Sequence, residues 1–379
     1  MELIDAGHEV LRKLNEAGYV AYFVGGMVRD RLLGREIYDI DITTAARPEQ
    51  VQSLFERTYA TGIAHGTITV IIEKIPVEVT TFRIESDYQD FRHPNQVVFT
   101  SSLVEDLQRR DFTINAIAQN IEGDILDPIR GLEDLKSKTL KAVGNAEVRF
   151  REDPLRILRG IRFVSKLGFR LDEEAYQAIK SQRQLMKHLA KERVKKELEG
   201  LMTGIYKEKA IQLIFETEIF EVFEVFKPLT KYKEYSFKSL VKGLDFFVLV
   251  GLEVEDIQKF VTEWPFSKKE KKMIQFIKTL INEPLQDAQI QYLYGIETRE
   301  LYYRIRCFLE QETLSFKSIE LPIKGRKDLD IKVSELIDAA GKPSGPWTGQ
   351  MLAKIELKVI LGELKNEKSE ILEFVRMSV

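Results

Sequence analysis

Apolar positions recur at helical spacing from Glu2 to Ala17 and stop at Gly18, which predicts an amphipathic helix at the start of the chain. Tyr19–Val24 is a β-branched and aromatic run, and Gly25-Gly26 breaks it before a short helix that closes at Gly34. Asp39–Thr43 alternates polar and apolar residues, as a half-exposed strand does. Pro48 stands where a first helical residue tolerates proline, opening a helix to Phe55. Thr67–Ile72 and Pro76–Phe82, separated by Glu73-Lys74-Ile75, predict an antiparallel pair, and Ile121–Leu126 and Thr139–Val143 predict further short strands. After Gly144 the β signal disappears and helix-period sequence runs from Glu147 onward, broken at Gly204 and Pro228. The pattern therefore predicts an α+β head followed by a long all-α remainder, with cuts near Gly144, Gly204 and Ser315.

Composition narrows this picture without naming a function. At 379 residues the chain exceeds the ~250–300 at which single cores stop growing, so two or more domains are expected. Apolar residues at 44% and charged residues at 31% describe a globular chain. The opening Met1-Glu2-Leu3-Ile4-Asp5 shows no basic region followed by an apolar run, so no secretory signal is expected. The longest apolar stretch, Phe246 to Leu252, is far short of the ~20 residues of a membrane span. The single cysteine, Cys307, excludes an internal disulfide and any Cys-based zinc site; it is read as a small buried hydrophobe in a protein of the reducing cytoplasm. The scattered His8, His65, His93 and His188 show no metal-ligand spacing. A net charge of −3 argues against a protein coated in positive charge, yet one basic stripe suffices for RNA binding.

Four segments carry candidate chemistry. Asp39-Ile40-Asp41 sets two carboxylates two residues apart, so on a strand both project from one face. Such a pair, completed by water and substrate phosphates, is how Mg²⁺ is usually held, though acidic alternation on a solvated strand gives the same pattern. Gly25-Gly26-Met27-Val28-Arg29-Asp30, about ten residues earlier, lets backbone approach a ligand at a helix start, where N–H groups meet phosphate. Arg29 can pair with a triphosphate oxygen; alternatively Arg29 and Asp30 form a surface pair on a tight turn. In Arg109-Arg110-Asp111-Phe112-Thr113, Arg110 can reach a phosphate or base and Asp111 can accept from a ribose hydroxyl, unless the two simply end a helix as an ion pair.

The fourth segment runs Glu152-Asp153-Pro154-Leu155-Arg156-Ile157-Leu158-Arg159-Gly160-Ile161-Arg162. Asp153 followed by Pro154 predicts an N-cap and first-turn proline. Arg156, Arg159 and Arg162 span roughly 120° of one helix face, while Leu155, Leu158, Ile161 and Val164 bury the other. Taken alone this is a basic, solvated face. It also has a chemical meaning. Cytosine and adenine each present an amino donor beside a ring-nitrogen acceptor, whereas uracil and guanine present the reverse. An acceptor–donor pair such as Asp153 and Arg156 accepts the first two bases and leaves buried groups unpaired against the others.

In this order the four segments resemble the bacterial class II tRNA nucleotidyltransferases, the CCA-adding enzymes, over nearly the whole chain. The tail, with Leu321-Pro322-Ile323-Lys324-Gly325-Arg326 and Gly345-Pro346-Trp347, looks like the Gram-positive type. The resemblance implies a polymerase-β-like head (1–144), a nucleotide-selecting neck (145–204), and a body (205–315) and tail (316–379) that bind tRNA through its acceptor and T arms. It implies CTP and ATP as substrates, two Mg²⁺ ions on Asp39 and Asp41, and the triphosphate near Gly26, Arg29 and Arg110. The ribose falls near Asp111, base selection to Asp153 and Arg156, and support of the nucleotide to Arg159 and Arg162. Glu78, between Val77 and Val79, is a further candidate carboxylate near the metals. A homodimer is compatible with the resemblance, and no membrane partner is expected.

Two details depart from the family pattern: Lys327-Asp328-Leu329-Asp330 is shifted, and Ser344 interrupts a Lys-Pro-Gly-Pro run. The nearest rival, bacterial poly(A) polymerase, carries a basic Gly-Arg-Arg-Phe-like element, where this chain reads Gly62-Ile63-Ala64-His65-Gly66-Thr67. Enzymes adding only CC or only A differ in loops more than motifs, and an inert RNA-binding module would be expected to lose the Asp39/Asp41 pair. The basic stretches Ser267–Lys272 and Lys324–Lys327 can meet phosphates, the first being read as a solvated helix face. The polar stretch Arg83–Asn95 is read as a long loop that shifts the pocket from C to A.

Overall fold

A computed structural model describes residues 2–88 and 94–378, so the long loop expected over Arg83–Asn95 lies partly outside the described residues. The chain forms two compact units, Met1–Lys233 and Glu234–Val379.

The first unit opens with helix α1 (Leu3–Glu16), strand β1 (Ala21–Val24), helix α2 (Gly26–Leu32), strand β2 (Asp41–Thr44) and helix α3 (Pro48–Leu54). Strands β3 (Thr58–Gly62), β4 (Thr67–Ile72) and β5 (Ile75–Thr81) follow, then a separate antiparallel ribbon of β6 (Arg83–Tyr88) and β7 (Pro94–Phe99). Helix α4 (Leu103–Gln108), the short strands β8 (Ala118–Gln119) and β9 (Ile125–Leu126), helix α5 (Gly131–Ser137) and strand β10 (Thr139–Leu140) complete the α+β part. The main sheet has the order β3-β4-β5-β2-β1-β8-β9.

Strand alternation divides this sheet into two chemically different faces. Ile42, Ile68, Val70, Val77 and Val79 point to one face, where Ala6, Val10, Leu11 and Leu14 of α1 and Val51 of α3 cover them. Full burial of such a side chain is worth roughly 1.5–3 kcal/mol, so a one-residue slip in β2 or β5 would be costly. The residues between them, Asp41, Thr43, Glu78 and Thr80, are thereby committed to the other face. The parallel pairing of β2 with β5 sets Asp41 opposite Glu78 and Thr43 opposite Thr80.

The structure corrects several expectations. Strand β2 begins at Asp41, so Asp39 lies just before the strand. The β4–β5 connection is the two-residue turn Glu73-Lys74, both residues with positive φ (46° and 76°), a geometry that neither residue type advertises. β3 and β8 were not predicted, and Ile121–Leu126 reduces to Ile125–Leu126.

The rest of the unit is helical: α6 (Ala146–Glu152), α7 (Leu155–Leu167), α8 (Glu173–Gln182), α9 (Lys191–Met202) and α10 (Lys207–Glu216). One small strand persists beyond Gly144, β11 (Arg170–Leu171), which pairs in parallel with β10. Helix α7 starts at Leu155 with Pro154 as its capping residue, later than the expected Asp153 cap. Asp153 still serves the helix end, its Oδ1 accepting from the Leu155 N–H at 3.0 Å.

The second unit holds helices α11 (Gly243–Glu253), α12 (Ile257–Glu263), α13 (Lys268–Asn282), α14 (Asp287–Tyr294), α15 (Ile296–Glu310), α16 (Val333–Ala340), α17 (Pro346–Ile360) and α18 (Lys368–Ser378). Ile323, Leu336, Leu352, Ile355, Ile371 and Val375 form one of its cores. Cys307 is only partly buried there, its Sγ accepting from the Leu314 N–H. Among the described residues no helix is long and apolar enough to cross a membrane.

Candidate active site

Gly25 links β1 to α2 with φ +71° and ψ −134°, a conformation that favours glycine. A Cβ there would also stand 3.3 Å from Asp41 Oδ2 and 3.5 Å from Arg110 Nη1, so this turn lies directly against the polar sheet face. Asp41, Asp39 and Glu78 line a cavity of about 930 Å³ that also takes in Gly26, Arg29, Arg110 and Asp111. Asp153, Arg156, Arg159 and Arg162 line the same cavity, so every residue singled out in the sequence faces one space.

The carboxylates crowd one another. Burial pushes the pKa of Asp41 up to about 6, and the charges of Asp39 and then Glu78 add to it, while Arg110 and Arg29 pull the other way. Among the described residues, no three acidic, histidine or cysteine side chains are gathered closely enough to hold a metal by themselves. The donor set still suits Mg²⁺, a hard cation usually bound through one or two carboxylates with substrate phosphates filling the sphere. Glu78, only a further candidate in the sequence, is set beside Asp41 by the β2–β5 register.

The arginines are held by partners from distant segments. Arg29 is nearly buried; it donates through Nη1 to Asn115 Oδ1 at 2.7 Å and pairs with Asp30 at 2.7 Å. The Arg29–Asp30 pair is thus present, on the cavity wall rather than the surface. Asp106, wholly buried, accepts from Arg109 at 2.7 Å, from Arg110 and Thr43 Oγ1 at 3.2 Å each, and from the Arg83 N–H at 3.3 Å. Burial would raise its pKa, but Arg110 and Arg109 outweigh that and hold it below the usual carboxylate range. Among the described residues, the buried Nε of Arg110 has no hydrogen-bond partner.

On the Arg156–Arg159–Arg162 face every guanidinium has an acidic partner, with Arg156 buried and the other two partly exposed. Arg156 is 7% exposed and donates to Glu152 at 2.8 Å and to the Arg109 carbonyl at 3.4 Å. Arg159 pairs with Asp111 at 2.6 Å, and Arg162 with Glu197 at 2.5 Å. Burial alone would raise Asp111, but Arg159, Asn115 and the Phe112 N–H bring its pKa down to about 2. Asp153 and Arg156 do not bond through their side chains; Asp153 pairs with Arg193 at 2.8 Å. The sequence reading missed Arg193, Asp106 and Phe163. The Phe163 ring lies 5.3, 5.7 and 5.1 Å from the guanidinium carbons of Arg29, Arg159 and Arg162, at distances typical of cation–π contact. Only Phe163 left a trace in the sequence, as an aromatic residue next to the last arginine of the helix.

Known proteins share this fold. Residues 21–141 match the family model of the poly A polymerase head domain, residues 168–229 the probable RNA and SrmB-binding site of polymerase A, and residues 244–375 tRNA nucleotidyltransferase domain 2. The chain is therefore a nucleotidyltransferase with a polymerase-type head. It is 39% identical to the CCA-adding enzyme of Bacillus cereus (strain G9842), over 99% of both chains. A crystal structure of the Bacillus stearothermophilus CCA-adding enzyme in complex with CTP superposes with a TM-score of 0.84 at 33% identity, covering 100% of this chain and 98% of that one. A tRNA nucleotidyltransferase complexed with a primer tRNA and an incoming ATP analogue is similar at 25% identity and TM-score 0.59, covering 80% of this chain and 98% of that one. The chain belongs to the CCA-adding enzyme family.

Proposed function

We propose that this protein builds and repairs the 3′-terminal CCA of tRNA from CTP and ATP, without a nucleic-acid template, by attack of the tRNA 3′-hydroxyl on the nucleotide α-phosphate with release of pyrophosphate. The observation that carries this reading is the single cavity joining the carboxylate cluster to Asp153 and Arg156. Asp39 and Asp41 would hold Mg²⁺, which when bound supplies charge neutralisation and activation at the reacting phosphate. Two such ions are in keeping with this chemistry. Glu78 stands beside them as a further carboxylate. Arg110 and Arg29, which line the cavity, face the triphosphate, and the Gly25-Gly26 turn lets backbone approach it. Asp111 meets the ribose, Asp153 and Arg156 read the base edge, and Arg159 and Arg162 hold the nucleotide from α7. The relatives named as CCA-adding and their complexes with CTP, tRNA and an ATP analogue support this choice over poly(A) addition or an inert module.

We read residues 1–144 as the catalytic head, 145–204 as the nucleotide-selecting neck, and 205–315 and 316–379 as body and tail that bind the acceptor and T arms. Duplex RNA is recognised mostly by shape and backbone, so these parts need no sequence code. A homodimer is compatible with this reading, and the cytoplasm, where tRNA and both nucleotides are found, is its setting. The test is to supply a tRNA lacking its terminal CCA with CTP, ATP or both and to sequence the products. CTP alone should give a CC end and both nucleotides a single CCA. A poly(A) tail, or a CC end that never gains A, would overturn the assignment.

A further inference from the structure

Asp153 owes its geometry to a residue outside every segment that the sequence singles out. Arg193, in the first turn of α9, donates through Nη2 to Asp153 Oδ2 at 2.8 Å and more weakly through Nη1 to Oδ1 at 3.4 Å. The Leu155 N–H holds Oδ1 from the start of α7 at 3.0 Å. Both carboxylate oxygens are therefore engaged, one set of donors coming from each helix. The partner residue is held just as independently, since Arg156 is engaged by Glu152 and the Arg109 carbonyl. What joins Asp153 and Arg156 to each other is the backbone bond from Arg156 N–H to the Asp153 carbonyl at 3.0 Å. Neither side chain is used up by the other.

We propose that Arg193 is a specificity-determining positioning residue: it holds the two oxygens of Asp153 turned toward the cavity at a fixed angle to Arg156. This rests on the reading that Asp153 and Arg156 select the base. A carboxylate offers about four lone-pair sites, so the contacts from Arg193 and Leu155 leave room for a base amino group. An acceptor-only group rewards the amino donor of cytosine and adenine and repels the carbonyl oxygens of uracil and guanine. Without the fork of Arg193 the carboxylate turns about its side-chain torsions and the penalty against the wrong bases falls. An arginine suits this position because its planar fork fixes two oxygens, which the point charge of lysine does not.

The rest of α9 keeps the fork in place. Glu197, one turn along, accepts from Arg162 of α7. Val194, Leu198 and Leu201 are buried. Gly200 lets Arg162 pass close, since a Cβ there would stand 2.7 Å from Arg162 Cδ.

The test is a double-mutant cycle of Asp153→Ala and Arg193→Ala, with Arg193→Lys and Arg193→Gln alongside. Single-turnover addition is measured for CTP and UTP on tRNA lacking CCA, and for ATP and GTP on tRNA ending in CC. Arg193→Ala should lower the CTP/UTP and ATP/GTP preferences roughly tenfold to hundredfold, the scale of one good base contact. Arg193→Lys should restore part of that loss and Arg193→Gln less, and both serve if the alanine variant does not fold. In the Asp153→Ala background, removing Arg193 should change the preferences no further. If Arg193 variants slow all four nucleotides equally with the preferences intact, while Asp153→Ala changes them, the inference falls and the base-selection reading survives. If Asp153→Ala itself leaves the preferences unchanged, both fall.

Discussion

Two aspartates that line the same cavity are shifted in opposite directions by their neighbours. Asp41, at about 6 against an ordinary 3.8, is raised by burial and by Asp39 and Glu78, so the fold favours its protonated form. The stability contributed by that proton is full below about pH 4 and lost as pH rises through about 6, leaving the ionised form at a cost of roughly 3 kcal/mol at neutral pH. In metal-free buffer Asp41→Asn should therefore melt higher than the parent at pH 7.5, by a smaller margin at pH 5, while losing activity. Equal melting at pH 7.5 would contradict the crowding. Asp39→Ala and Asp41→Ala should each lower addition by several orders of magnitude with the fold retained, and near-normal turnover in either would remove the metal assignment. Asp111, held down to about 2 by Arg159 and its hydrogen bonds, follows the other sign. Its contribution is present above about pH 4 and lost as pH falls through about 2, so Asp111→Asn should melt lower than the parent at both pH 7.5 and pH 5. A destabilisation already gone at pH 5 would contradict that.

At the scale of elements, α7 carries Arg156, Arg159 and Arg162, three of the residues proposed to bind the nucleotide, and its seat depends on close packing. A Cβ on Gly160 would stand 2.8 Å from Phe112 Cζ, against the buried ring that follows Asp111. Gly160→Val should cost about 1–3 kcal/mol by overpacking and also weaken CTP use, measured by denaturant unfolding and by KM. The helix and its buried leucine face were legible from periodicity. The burial of Arg156 and the pairing of Arg159 and Arg162 were not, because Glu152, Asp111 and Glu197 reach them from other elements and no local pattern announces such pairs. The polar stretch after Phe82 was read as a loop for a related reason. Its described ends pair as β6 and β7 in a ribbon apart from the main sheet, where Ile84 and Val98 are 38% and 49% exposed. The stretch itself, Arg83-Ile84-Glu85-Ser86-Asp87-Tyr88, shows no clear alternation of apolar residues. Deleting Ser86–Arg92 should leave C addition intact and yield tRNA ending in CC; equal loss of both additions would make the segment a structural element only.

For the whole molecule, the α+β head and helical remainder were legible because a sheet with one covered face alternates visibly, as Val77-Glu78-Val79 does. The division into Met1–Lys233 and Glu234–Val379 was not, since the non-helical stretch from Lys233 to Lys242 carries neither glycine nor proline to mark it. Every candidate site residue lies in the first unit, while the match to tRNA nucleotidyltransferase domain 2 lies in the second. The central claim is that one cavity, reading through one pair of side chains, selects both nucleotides. It is tested most directly with Arg156→Ala, by single-turnover addition of each of the four nucleotides to tRNA lacking CCA and to tRNA ending in CC. The account predicts that preference for CTP over UTP and for ATP over GTP falls together, by roughly tenfold to hundredfold. A loss confined to one nucleotide, or preferences unchanged on both substrates, would contradict it.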